Sequence, residues 1–313
     1  MRKNLALGVD IGGTNSVFGL VDVQGNLYFE ESLSTNDYST PEDLVEKIYQ
    51  RVKEIGQLNN IIGIGIGAPN GNFFSGTIEF APNLNWNGII PLARLFEFRF
   101  KCDAVLTNDA NAAAIGEMIY GAAKGLNDFV SITLGTGVGS GIVVGGNLVY
   151  GHDGFAGEFG HIRVINDGRK CGCGRKGCLE TYTSATGVVR SINELDSENK
   201  TISKINYIDV PHANDVFRLA QEGDLFCQEI VDFTAQVLGS ALADFACFTS
   251  PKAYILFGGI AQSGQPFAEK VKKHMEESLL NIYKDKIEIR ISKLHDKNAA
   301  VLGASSLVWN QQD

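Results

Sequence analysis

Leu5-Ala6-Leu7-Gly8-Val9-Asp10-Ile11-Gly12-Gly13-Thr14-Asn15 holds the key to the architecture of this 313-residue chain. The apolar run Leu5 to Asp10 predicts a strand that ends at a glycine pair, and Val17 to Val21 takes up the apolar pattern again at once. A glycine turn that leads from strand to strand is a hairpin. A dinucleotide-binding unit would place a helix there, so that fingerprint is excluded. The absence of Gly-Lys-Ser/Thr excludes the Walker pattern as well. Asn26 to Leu33, after the turn signal Gln24-Gly25-Asn26, completes a three-strand meander.

Outward from this meander, strand and helix patterns alternate, which predicts an α/β fold with helices covering mixed sheets. Thr40-Pro41-Glu42-Asp43 starts a helix: Thr40 caps it, Pro41 suits its first position, and Leu44, Ile48 and Val52 form its apolar stripe. Ile61 to Gly67 is near-continuously apolar, as a strand buried on both faces would be. Ala68 to Gly88 then reads as a long polar and aromatic loop with Asn70, Asn72, Asn83 and Asn85, and loops of that length inside compact domains are usually functional. Ala104 to Thr107 delivers Asn108-Asp109 to the start of an Ala-rich helix, where an Asp could serve simply as a cap. A second set of strands follows at Phe129 to Leu134, Gly141 to Val144, Ala253 to Phe257 and Ile287 to Ile291. The patterns divide the chain into a domain of residues 1–110 and a larger one of residues 111–295, with the final helical stretch 296–313 expected to pack back on the first.

Composition narrows the function. A hydrophobic content of 44% in 313 residues is too much for one ordinary core, and the net charge of −9 disfavours nucleic acid and anionic lipid as partners. No apolar signal region precedes the first strand, and no apolar run is expected to approach the roughly 18 residues of a membrane span. A cytoplasmic protein with a small-molecule partner is expected.

Between Glu158 and Glu180 the chain gathers His161, Cys171, Cys173 and Cys178 within eighteen residues of a glycine-rich loop. Three thiolates and an imidazole at this spacing suit a tetrahedral zinc ion, and four protein ligands leave no position open for catalysis, so the zinc is structural. A disulfide or free thiols is the alternative, although Cys171 and Cys173 stand too close in sequence for an easy bridge. Glu158 and Glu180 flank the ligands, so one metal would hold two carboxylates. Cys102, Cys227 and Cys247 sit among apolar residues and read as small hydrophobes. Phe159 and the pair Phe73-Phe74 read as core.

Three glycine-rich turns remain: Asp10 to Asn15, Leu134 to Gly141, and Phe257-Gly258-Gly259. Glycines let the backbone approach a phosphate and turn N–H groups toward it, and Thr hydroxyls add donors. Each turn alone is weak evidence, because glycine also serves plain tight turns. A second loop at the matching place in the second half raises their weight.

Together these motifs, with Gly65-Ile66-Gly67-Ala68-Pro69 and Asn108-Asp109-Ala110-Asn111, resemble the ROK family of sugar kinases and repressors across nearly the whole chain. The resemblance implies two actin-like (ribonuclease H-like) domains with a central cleft. It implies an ATP-dependent hexose kinase of carbohydrate metabolism, acting in glycolysis if the sugar is glucose. Asp109 would be the general base. The sugar would be held by Asn83, Asn108, Asp109, Glu158, His161 and Glu180. ATP would be held by Asp10, Gly12, Gly13, Thr14, Asn15, Gly135, Thr136, Gly137, Gly139, Gly258 and Gly259, with magnesium at Asp10 through water. His161 would bind zinc with one ring nitrogen and face the sugar with the other. Glu158-Phe159-Gly160-His161 resembles the glucokinases. The acetamido sugars N-acetylglucosamine and N-acetylmannosamine, fructose and allose are the alternatives, and a sugar sensor without catalysis is a further one. The family's repressors carry a winged helix ahead of the shared residues, for which the few residues before Asp10 leave no room. A homodimer or higher oligomer is expected by analogy with the family.

Overall fold

The computed structural model describes residues 4–196, 202–294 and 296–310, which form two compact units. One contains the chain up to Gly125, the segment Leu148–Ala156, and everything from Lys293 onward; the other contains Leu126–Asn147 and Gly157–Ser292.

In chain order the first unit holds β1 (Leu5–Ile11), β2 (Asn15–Val21), β3 (Leu27–Ser34), α1 (Pro41–Glu54), β4 (Ile61–Gly67), β5 (Gly71–Asn72), β6 (Thr77–Glu79), β7 (Ile89–Ile90), α2 (Leu92–Phe100), β8 (Ala104–Thr107) and α3 (Asp109–Ile119). The second holds β9 (Phe129–Leu134), β10 (Val138–Val144), α4 (Glu180–Thr183), α5 (Ala185–Leu195), α6 (Ala213–Gln221), α7 (Leu225–Thr249), β12 (Ala253–Phe257), α8 (Gln265–Ser278) and β13 (Glu288–Ile291), with β11 (Asn147–Leu148) at its margin. The last helix, α9 (Asp296–Trp309), belongs to the first unit.

Each unit is built on a five-stranded sheet of the same plan, β3-β2-β1-β4-β8 in the first and β11-β10-β9-β12-β13 in the second. In both, an antiparallel hairpin at a glycine turn (β1–β2, β9–β10) is extended on one side by parallel strands. The mixed sheets flanked by helices, repeated twice, are the actin-like fold class that the resemblance implies. The burial of β1, β4 and β9 explains their apolar sequences, since a strand with helices on both sides has no polar face to show.

Glycines in β1 and β4 admit α9. A β-carbon on Gly65 would stand 1.8 Å from Ala304 O, and one on Gly8 would stand 2.3 Å from Val301 O, so the helix backbone lies directly on the sheet. Buried Val301, Ala304 and Leu307 make the contact. At the start of α1, Asp43 N–H donates to Thr40 Oγ1 at 3.2 Å, as the capping pattern predicts.

Four expectations are corrected. The compact unit runs past residue 110 to Gly125, because α3 packs on α9 and stays with the first sheet. The stretch Ala68 to Gly88 is not one loop: together with Ile89–Ile90 it forms the small sheet β5-β6-β7. Helix α7 is long and apolar enough to cross a membrane, a stretch that strict counting of apolar residues overlooked; it carries Asp232, which pairs with Lys270 of α8 at 2.8 Å, and much of its surface is buried inside the unit. Cys247 and Phe74 are exposed rather than core, whereas Phe159 packs on buried Phe245 with ring centroids 3.9 Å apart.

Candidate functional site

In the first unit the end of β1 and the start of α3 bring two carboxylates together. Asn108 caps α3, its Oδ1 accepting from Asn111 N–H at 2.7 Å. The neighbouring Asp109 is thereby released from capping; it accepts the Ala110 N–H at 2.8 Å, and its side chain is accessible. Gly67, at the end of β4, floors the gap: a β-carbon there would lie 3.3 Å from Asp10 Oδ1 and 3.7 Å from Asp109 Cα. Although Asp109 can be reached by solvent, the protein crowding it raises its carboxyl above the ordinary range. Burial, and secondarily the Asp109 charge, push Asp10 up to about 7.

That shift has a consequence for folding. Asp10 holds its proton in the folded chain up to about pH 7 but loses it near 3.8 when unfolded, so its contribution to stability falls as pH rises between those values. Asp10→Asn removes the buried charge and is expected to stabilise the protein at pH 8 by on the order of 3 kcal/mol. Thermal unfolding at pH 8 checks this; an unchanged or lower Tm would mean that the charge is compensated by its surroundings.

Gly12, Gly13, Thr14 and Asn15 form the β1–β2 turn, closed by Gly12 N–H donating to Asn15 O at 3.0 Å. Exposed Asn83 lies against it, since a β-carbon on Gly13 would meet Asn83 O at 2.5 Å. Only glycine allows this approach.

The second unit places Gly135, Thr136 and Gly137 in the β9–β10 turn. Gly139 is drawn into β10 opposite Thr133, because the strand begins at Val138 and not at Gly141 as the pattern suggested. Gly258 turns at φ +95°, packed so tightly on β9 that a β-carbon would meet Leu134 O at 2.6 Å. Gly135 and Gly259 face open space where a side chain would start, which leaves room for a ligand against the backbone. Glu180, at the start of α4, accepts the Val138 N–H at 3.1 Å through Oε2, tying this carboxylate to the glycine turn.

The zinc-type ligands converge. His161 Nδ1 lies 3.7 Å from Cys171 Sγ, Cys173 Sγ lies 3.7 Å from Cys178 Sγ, and the four ligand atoms all lie within 4.8 Å of one another. Tetrahedral zinc with Zn–S near 2.3 Å sets its ligands about 3.8 Å apart, so the donor set fits the ion in number, type and spacing. Burial pushes the Cys171 thiol up to about 12, and a bound cation would be needed to hold it as thiolate near neutral pH. The other His161 nitrogen, Nε2, lies 4.0 Å from Glu158 Oε2, and Cys171 Sγ lies 3.7 Å from Glu180 Oε1. Both carboxylates thus border the cluster, as their sequence positions predict.

Two supporting residues escaped the sequence reading. Ser140, buried in β10, donates to Gly157 O and accepts the Phe159 N–H at 3.3 Å, which holds the turn bearing Glu158 and His161. Arg169, 7% exposed, donates to Thr181 O at 2.6 Å, Gly187 O at 2.9 Å, Ser191 Oγ at 2.9 Å and Glu194 Oε2 at 2.7 Å, and its guanidinium lies 4.5 Å from the Tyr182 ring centroid. In a run of Arg, Lys and Gly it reads as one more solvated charge, and only the fold reveals its partners. Arg169→Leu takes the guanidinium donor from Thr181 O, while Gly187 O keeps Ser191 Oγ at 3.1 Å, and is expected to destabilise the protein by about 2–4 kcal/mol. Denaturant unfolding checks this; a loss under 1 kcal/mol would mean that water replaces the guanidinium.

The model of the ROK family matches residues 6–311. The chain is 36% identical to a glucokinase of Halalkalibacterium halodurans, covering 100% of this chain and 97% of the relative. It is 30% identical to a xylose repressor of Bacillus spizizenii over 98% of this chain and 77% of the repressor. Among solved structures, a ROK family glucokinase from Streptomyces griseus in complex with glucose and AMPPNP superimposes with a TM-score of 0.79 at 34% identity, covering 97% of this chain and 98% of the other.

Proposed function

The chain belongs to the ROK family, and from that membership we propose that the protein is an ATP-dependent glucokinase. It transfers the γ-phosphoryl group of ATP to the 6-hydroxyl of glucose, leaving glucose 6-phosphate and ADP. The observation that carries the reading is Asp109: an accessible carboxylate, relieved of capping by Asn108 and made more basic by its surroundings.

Phosphoryl transfer asks a protein mainly for positioning and for neutralisation of charge, with a base for the attacking hydroxyl. Asp109 accepts the proton of the 6-hydroxyl as the oxygen attacks phosphorus, and the bond from the γ-phosphorus to the bridging oxygen breaks to release ADP. Asn83, Asn108, Glu158, His161 and Glu180 bind the other sugar hydroxyls. The amides of Gly12 to Asn15, Gly135 to Gly137 and Gly258-Gly259 hold the phosphates; Gly139, inside β10, supports its turn from the strand. Asp10 would hold the magnesium that accompanies ATP, and that ion would supply neutralisation of the phosphate charge. Zinc on His161, Cys171, Cys173 and Cys178 would supply a structural cross-link only. A cytoplasmic location, glycolytic use of the product and a homodimeric assembly are proposed from family membership alone, and light scattering reads the assembly.

An assay of ADP release with MgATP, run side by side on glucose, N-acetylglucosamine, N-acetylmannosamine, mannose, fructose and allose, tests the reading. Glucose is expected to give the highest kcat/KM. Turnover with another sugar alone would move the specificity. Failure of all six, with one still bound in calorimetry, would replace the kinase by a sugar sensor.

A further inference from the structure

Thr35 lies just past β3, 4% exposed, and meets the β1–β2 turn through two of its carbonyls. Its Oγ1 donates to Gly12 O at 2.7 Å and its N–H donates to Thr14 O at 2.8 Å, so it grips the carbonyls on both sides of Gly13. A hydroxyl has one proton, and since Thr35 spends it on Gly12 O, the 2.8 Å contact with Ser16 Oγ is one that Thr35 accepts. In a trans peptide the carbonyl and the following N–H point in opposite directions, and no cis bond occurs among the described residues. Drawing Gly12 O toward Thr35 therefore drives the Gly13 N–H the other way, outward from the turn. The next residues brace the loop on the far side: Asn36 Oδ1 accepts from Asn85 Nδ2 at 2.8 Å, and Tyr38 O accepts from Trp86 Nε1 at 3.1 Å. Asn83, two residues before Asn85 in the same loop, has its carbonyl against Gly13.

We propose that Thr35 is a positioning residue that aims the Gly13 N–H at the nucleotide's phosphates and sets that turn against the Asn83 loop. This rests on reading Gly12 to Thr14 as a phosphate cradle. Thr35→Val keeps the shape and removes the hydroxyl, freeing Gly12 O to rotate with its peptide. It is expected to weaken MgATP binding and to lower kcat, each by about tenfold, because small misplacements of positioning groups carry penalties of that order. Glucose affinity by calorimetry should stay within about twofold, as no sugar contact is removed. Thr35→Ser restores the donor and should recover most of the loss, which a purely packing role would not permit. Calorimetry with MgATP reads the effect without any turnover, so an inactive parent overturns the kinase reading while leaving this inference to its own result. The inference is overturned if Thr35→Val binds MgATP like the parent, or if Thr35→Ser is impaired as much as Thr35→Val. Should Thr35→Val fail to fold, Thr35→Ala removes the same donor with less crowding, and unchanged MgATP affinity there overturns the inference equally.

Discussion

Asp109→Ala is expected to reduce kcat for glucose phosphorylation by about 10³-fold while leaving glucose binding measurable, in line with what a general base contributes. Asp109 would be both base and sugar ligand, but it is only one of several groups proposed to hold the sugar, so affinity should fall far less than turnover. Its removal leaves the helix start intact because Asn108, not Asp109, caps α3. The fold should therefore survive, and lost activity can be read as lost chemistry. Removing this charge also lowers the pKa of Asp10, since Asp109 is one of the two causes that raise it. Steady-state kinetics and glucose calorimetry on the same preparation decide the matter. A kcat within tenfold of the parent would remove Asp109 from the role of base.

The second large effect is expected at the cysteine cluster. Cys173 is exposed, so Cys173→Ser costs little packing, and its consequences report on metal binding rather than on a cavity. Zinc content by elemental analysis should drop from one ion per chain to nearly none, with a loss of thermal stability, because metal binding free energy is folding free energy at such sites. Glucose affinity should fall by about 10- to 100-fold, the usual consequence of disturbing a metal's immediate surroundings. The route is short: Glu180 Oε1 stands 3.7 Å from Cys171 Sγ, and Glu158 Oε2 stands 4.0 Å from His161 Nε2. A parent protein free of zinc, or a variant that binds glucose as tightly as the parent, would separate the cluster from the sugar site.

Much of this was legible in the chain itself. The hairpin at Gly12-Gly13, the helix cap at Thr40, the strand Ile61–Gly67 and the ligand spacing from His161 to Cys178 follow from local rules, since backbone turns, caps and short-range metal loops depend on residues close in sequence. Asp109 was visible because it follows a buried strand at a helix start. The sequence could not say that Asn108 would do the capping, which depends on the phase in which the helix begins. It could not start β10 at Val138, because the strand is set by pairing with β9 and not by its own glycines. Nor could it separate Arg169 and Thr35 from solvated polar residues, since their partners lie up to 25 and 23 residues away and meet them only once the sheets and helices have packed. Local physics wrote the motifs into the chain; long-range packing decided which polar atoms were left to hold them in place.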